Sequence, residues 1–277
     1  MDKIQVTLTV EEGKEIIALG ILKHPLLTRG LEKGKVLFKG GTTVSRITEK
    51  LVGLPLRISG RITPRGTVAG LNNIDEPHSI IINKGSWMNV DEKNVIEAQK
   101  FTSQDVIVCG ANAFDAKGRA ALMAGSPGGG NVGLSMSTWC SEGTTVIIPV
   151  GIEKMIPGDL DEIIKKSSRT GKKLAWGMSV GLLPIYGEIF TEVEAIKKLA
   201  DVDCFPIGAG GLSEAQGSVT LEIWGDKEEL KKVIDILKIV KSKNIITSGL
   251  KDSLVECEAI CHNCSRHLGC GYKAKAL

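Results

Sequence analysis

A chain of 277 residues, 42% of them hydrophobic and 24% charged, can bury one large core or two modest ones. Its net charge of +3 forms no basic stripe and its aromatics, at 4%, offer few stacking platforms, which argues against a nucleic-acid partner. No apolar run is long enough to cross a bilayer and no secretory leader opens the chain, so the seven cysteines are expected as reduced thiols or metal ligands in the cytoplasm.

In chain order, Ile4 to Val10 alternates like a strand, and Glu11 to Lys23 places Ile16, Ile17, Leu19 and Leu22 at helical spacing, with Pro25 as its stop. Lys35-Val36-Leu37-Phe38-Lys39 reads as a short buried strand. It runs into Gly40-Gly41-Thr42-Thr43 and a helix over Val44 to Leu51, a strand, glycine loop, helix unit. Ser79 to Asn83, Asp105 to Cys109 and Thr144 to Val150 are further apolar runs without alternation, as expected of strands buried on both faces of a parallel sheet. Glu92 to Lys100 is a helix between two of them. After Pro157-Gly158 come a helix from Asp159 to Ser168 with Asp159 as N-cap, a strand-like Lys173 to Val180, and a helix from Thr191 to Ala200. Strands near Asp203–Ile207 and Ser218–Trp224 follow, joined through Gly208 to Ser213 as a hairpin, and then a helix from Lys227 to Val240. The expected fold class is α/β, with an open, mostly parallel sheet and helices on both faces over residues 1–157. A smaller α+β domain of ferredoxin-like type spans 158–248, and a cysteine-rich metal-binding tail spans 249–277.

Glycines at a strand end let backbone amides turn toward a ligand, and hydroxyls beside a helix N-terminus donate to an anion. Gly40, Gly41, Thr42 and Thr43 form the first such candidate, with a plain tight turn and a threonine cap as the alternative. The second is Cys109-Gly110-Ala111-Asn112-Ala113-Phe114-Asp115, followed by Ser126-Pro127-Gly128-Gly129-Gly130-Asn131. Together these stations resemble the superfamily of ribose-5-phosphate isomerase, glucosamine-6-phosphate deaminase and CoA transferases over about residues 30 to 155. The resemblance implies a doubly wound sheet with a small anionic or phosphorylated ligand at its strand ends. It implies ligand contacts at Gly40, Gly41, Thr42, Thr43, Gly110, Asn112, Gly128, Gly129, Gly130 and Asn131. Asn112 and Ser126-Pro127 stand where the isomerase carries an acidic residue and a lysine. Isomerase activity is therefore not expected, and Asp115 remains as the matched catalytic carboxylate. In Arg57-Ile58-Ser59-Gly60-Arg61-Ile62-Thr63-Pro64-Arg65-Gly66, Arg61 and Arg65 are candidates to grip phosphate or carboxylate through forked guanidinium donors; the bland reading is surface arginines.

Four of the seven cysteines crowd into Cys257-x3-Cys261-x2-Cys264-x5-Cys270. Thiolates at this spacing can converge on one soft metal centre, expected as an iron–sulfur cluster of the 4Fe–4S kind in preference to zinc; His262 and His267 are available to a mixed zinc site. Two disulfides or free thiols are the alternative. The first three cysteines match the spacing of the radical S-adenosylmethionine motif, yet Asn263 stands where that family has an aromatic and no barrel follows. Cys109, Cys140 and Cys204 lie in or beside apolar segments, as small buried hydrophobes do. His24 is read as a helix cap, and His78, before a strand, as a possible pocket lining. The expected function is an enzyme acting on a small anionic metabolite (phosphorylated, carboxylated or CoA-linked). A non-catalytic effector or redox sensor with a structural zinc or iron–sulfur site is the alternative. A homo-oligomer or a redox partner is compatible with both.

Overall fold

The computed structural model describes residues 1–70, 74–243, 245, 249 and 250. β1 (Asp2–Leu8) leads into α1 (Val10–Ile21), which Thr9 and Glu12 start as a reciprocal capping box. Pro25 does not simply end this helix. It opens a second one, α2 (Pro25–Lys33), at the first position, where a missing N–H is no loss, and His24 is the N-cap. Next come β2 (Lys35–Lys39), α3 (Thr42–Val52), a hairpin of β3 (Gly60–Thr63) and β4 (Gly66–Ala69), and a second hairpin of β5 (Ser79–Asn83) and β6 (Ser86–Asn89). α4 (Asn94–Ala98), β7 (Val106–Cys109), β8 (Ala113–Phe114), β9 (Ala120–Ala124), α5 (Gly130–Ser141) and β10 (Thr145–Pro149) follow. The chain continues through α6 (Leu160–Lys166), β11 (Gly181–Ile185), β12 (Glu188–Phe190), α7 (Glu192–Leu199), β13 (Val202–Gly210), β14 (Ser218–Gly225) and α8 (Lys227–Ser242).

The principal sheet has six strands in the order β12-β10-β7-β2-β5-β6 and is mixed. β12, β10, β7 and β2 are parallel, whereas β5 runs antiparallel to β2 and β6 antiparallel to β5. The expectation of a parallel Ser79–Asn83 strand is corrected by one turn. Lys84 and Gly85 both take positive φ, 47° and 79°, which is the two-residue hairpin geometry that sends the chain straight back as β6. Strand alternation sorts the apolar residues onto two faces. Val36, Phe38, Ile80, Val106, Val108 and Ile147 pack with α1, α3, α7, α8 and the second sheet. Leu37, Ile81, Ile107, Cys109 and Ile148 pack on the other face with Ala98 of α4 and with Met136 and Trp139 of α5.

The second sheet is three-stranded and antiparallel, β1-β14-β13, and β13 and β14 form the expected hairpin. This differs from the expected ferredoxin-like unit in two ways. Its third strand comes from residues near the N-terminus, and β12 leaves it to become an edge of the principal sheet. The turn at Pro157-Gly158 thus stands between segments that share sheets, since β11 also pairs with β9. Lys173 to Val180 is irregular rather than a strand; Gly177, at φ 84°, instead bridges Thr67 of β4. α1 and α7 meet closely, and a Cβ at Gly20 would fall 2.5 Å from the Ala195 backbone. No helix among the described residues is long and apolar enough to cross a membrane.

Candidate functional site at the ends of β2 and β7

β2 and β7 are neighbours, and the chain leaves them toward opposite faces. After β2 it enters α3, whose Val44 and Ile47 belong to one core; after β7 it proceeds to α5, whose Met136 and Trp139 belong to the other. In doubly wound sheets such a divergence marks the usual ligand position, beyond the carboxyl ends of the two strands. Gly40-Gly41 and Gly110-Ala111-Asn112 leave these two ends. Register places Lys39 beside Cys109 on one side and Ser79 on the other. The three side chains therefore form one row on the α4 and α5 face, continuing that of Leu37, Ile81 and Ile107.

Lys39 is the unusual member. It is 5% exposed, and its Nζ donates to the Ser79 hydroxyl at 3.3 Å, its one hydrogen bond among the described residues. Burial pushes its ammonium below the ordinary lysine value, an effect that Cys109 and Asp91 only partly oppose. Burial likewise pushes the Cys109 thiol up to about 12, so it stays protonated and is not a thiolate nucleophile at neutral pH.

His78 stands over the adjoining glycine. A Cβ at Gly40 would lie 2.2 Å from His78 Nδ1 and 2.3 Å from its carbonyl, so glycine is required there by close approach. His78 Nδ1 is 2.8 Å from the Arg57 carbonyl. A carbonyl only accepts, so Nδ1 carries the hydrogen and Nε2 accepts from the Ser59 hydroxyl at 3.4 Å. Burial, and then the charge of Lys39, push His78 down to about 4, which leaves the ring neutral at physiological pH. Asp91 ties the assembly together. Oδ1 accepts from the Ser79 amide at 2.7 Å, Oδ2 from the His78 amide at 2.9 Å and from Arg57 Nη2 at 2.8 Å, and its carbonyl accepts from Asn131 Nδ2 at 3.1 Å.

The other expected residues divide. Gly41 is the N-cap of α3 and supplies no side-chain cap, so the first amides of this helix keep their donor capacity. Thr42 and Thr43 occupy the first turn, and the Thr43 hydroxyl is buried with no hydrogen-bond partner among the described residues. Gly128, Gly129 and Gly130 all have positive φ, 62°, 78° and 61°, and deliver α5 with Gly129 as another uncapped start. Asn131 joins the Asp91 hub, whereas Asn112 Oδ1 accepts from the Met123 amide at 2.9 Å and holds β9. Arg61 and Arg65 lie on the β3–β4 hairpin. Asp115 belongs to a separate knot. Its Oδ1 accepts from the amides of Lys117 at 2.9 Å and Arg119 at 3.2 Å, and its Oδ2 from the Leu160 amide at 3.0 Å and from Arg119 Nε at 2.8 Å and Nη2. Burial would raise this carboxyl, yet Arg119 and the three amides outweigh it and hold it down at about 2. A carboxylate so saturated binds the β8–β9 turn to the start of α6.

Lys39, Ser79 and Asp91 were not among the expected site residues. The available signal for Lys39 was a charged residue closing an apolar strand immediately before Gly-Gly. Cys109 and Cys204 are buried as expected; Cys140 instead stands exposed on α5. Among the described residues no three of His, Cys, Asp or Glu converge as a metal site. Cys257, Cys261, Cys264 and Cys270 lie outside the described residues. No protein-family model matches the chain, and the searches of curated proteins and of solved structures found no match.

Proposed function

We propose that this protein binds a small anionic metabolite at the carboxyl ends of β2 and β7 and acts on it as an enzyme. The observation that carries the reading is the buried Lys39, whose Nζ has one neutral partner among the described residues, next to the uncapped glycine start of α3. In this reading the amides of Thr42 and Thr43 and the Thr43 hydroxyl hold the anionic end, and Lys39 meets the other end. The resemblance to the ribose-5-phosphate isomerase and CoA-transferase superfamily points the same way, since its glycine–threonine loop falls at Gly40 to Thr43. The cysteine tail holds a 4Fe–4S cluster, with zinc as the alternative metal.

Inorganic phosphate and acetate, titrated calorimetrically against the full chain, test the anion site. Thr43→Val removes a buried hydroxyl that has no partner among the described residues, a change that leaves stability unaltered or improved, so a loss of binding is not a folding effect. The variant is expected to bind phosphate about tenfold more weakly, the worth of one charge-assisted hydrogen bond. Equal affinity in both proteins would remove the α3 N-terminus from the site. For the tail, iron and acid-labile sulfide in anaerobically purified protein support the cluster, whereas colourless protein with stoichiometric zinc assigns the alternative. Binding without turnover of any ligand that co-purifies would favour an effector sensor over an enzyme.

A further inference from the structure

We infer that Lys39 is a nucleophile and that the anionic ligand carries an aldehyde or ketone carbonyl, with which Lys39 forms an imine. The inference rests on the anion-binding reading above and names its substrate class. A buried ammonium persists when a carboxylate or several acceptors compensate its lost hydration. Lys39 has neither among the described residues. Its hydrogen-bond partner is the Ser79 hydroxyl at 3.3 Å. The nearby carboxylate, Asp91, is committed elsewhere: Oδ1 to the amides of Ser79 and His78, at 2.7 and 3.1 Å, and Oδ2 to the His78 amide and Arg57 at 2.9 and 2.8 Å. Burial without a dedicated counter-charge disfavours the ammonium and eases release of its proton to a reacting partner, and the direction of its acidity shift agrees.

Among the described residues the neighbours offer no rival nucleophile. Cys109 remains a thiol, and its Sγ–H points to the Gly110 carbonyl at 3.6 Å. His78 is neutral and held at both nitrogens, by Arg57 and by Ser59. Beside the strand end the backbone is open, because a Cβ at Gly41 would meet nothing within 4 Å. The Lys39 side chain lies on the α4 and α5 face and α3 on the other, so a ligand with its anionic group on the α3 amides has to reach over the end of β2 for its carbonyl to meet Lys39.

The step needs no oxidant or reductant. The Nζ lone pair forms the C–N bond while the carbonyl π pair moves to oxygen, which takes a proton; the carbinolamine then loses water, and the nitrogen gives up its two hydrogens in the overall exchange of C=O for C=N. The Ser79 hydroxyl, within hydrogen-bond distance of Nζ, is placed to relay protons.

Pyridoxal 5′-phosphate, an anionic aldehyde, is the probe. The full chain is incubated with it at about pH 6.5, where ordinary lysines are almost wholly protonated, then reduced with borohydride and mapped by mass spectrometry. Lys39 is expected to label at least about tenfold faster than the exposed lysines in the same sample, and inorganic phosphate to protect it. This competition within the unaltered protein needs no folded variant; Lys39→Met, where it folds, should lose that one label and keep the others. Labelling spread evenly over surface lysines, with phosphate binding intact, would overturn the imine and leave the anion site standing. Loss of both signals would dismiss the anion site as well.

Discussion

At the scale of single residues, burial separates side chains that look alike in a sequence. Asp115 and Asp91 are both carboxylates near glycine loops, but their surroundings assign them different tasks. Asp115 accepts from Arg119 and from three backbone amides, one of them on Leu160 at the start of α6. Asp115→Ala would leave the Arg119 guanidinium and the buried Leu160 amide without this acceptor. We expect a loss of stability on the order of 3 kcal/mol, read from urea unfolding, with phosphate affinity unchanged. A variant that unfolds normally but fails to bind would return Asp115 to the ligand site. Lys39 is the converse case. Nothing in a Lys-Gly-Gly string tells that the lysine is 5% exposed, because burial depends on strands far away in sequence.

At the scale of elements, local rules carry a long way. Thr9 with Glu12 and Thr191 with Glu194 form capping boxes, and Asp159 accepts from the amides of Asp161 and Glu162, so these helix starts are written in neighbouring residues. His24 combines a local and a distant task. Its Nδ1 accepts from the Leu26 amide at 3.2 Å, so Nε2 carries the hydrogen and donates to Glu188 of β12 at 3.0 Å. Only the first bond was foreseeable, and it caps the start of α2 rather than the end of α1. His24→Asn should keep the cap and lose the strand tie, whereas His24→Ala loses both. The expected costs are about 1 and about 2 kcal/mol, and denaturant unfolding of the pair distinguishes them. Equal costs would mean that the contact with β12 contributes nothing.

At the scale of the whole molecule, a second group of ionisable side chains joins α1, α7 and the turn after β10. Glu192 opens α7, is 2% exposed, accepts from the Ile152 amide at 3.0 Å and lies against Gly13 of α1. Burial, and then the charge of Glu153, raise its carboxyl from 4.5 to about 7; Lys154 draws it down, and Lys14 and Glu11 complete the cluster around Lys154. The folded chain therefore holds this proton more tightly than the unfolded chain. Its stabilising effect is complete below pH 4.5 and is lost as pH rises to about 7, leaving a cost of roughly 3 kcal/mol above that. Glu192→Gln, which keeps an acceptor for Ile152, should be more stable than the parent at about pH 8 and nearly equal to it at about pH 4. Unfolding midpoints at the two values check this, and a gain independent of pH would contradict it.

What the sequence determined by itself is the set of short-range features. Apolar runs at Val36–Phe38, Val106–Val108 and Val146–Ile148 announced strands buried on both faces, caps announced helix starts, and glycines announced the two loops. Three-dimensional pairing decided the rest. β1 completes a sheet with β14 and β13, β12 crosses to the edge of the principal sheet, and β5 reverses against β2. Those partnerships set Lys39 between Cys109 and Ser79, close enough to His78 for its charge to be felt there. The reason is physical: periodicity records which faces are apolar, whereas the charge state of a lysine follows from the groups that fold around it, and these come from residues 40 and 70 positions away.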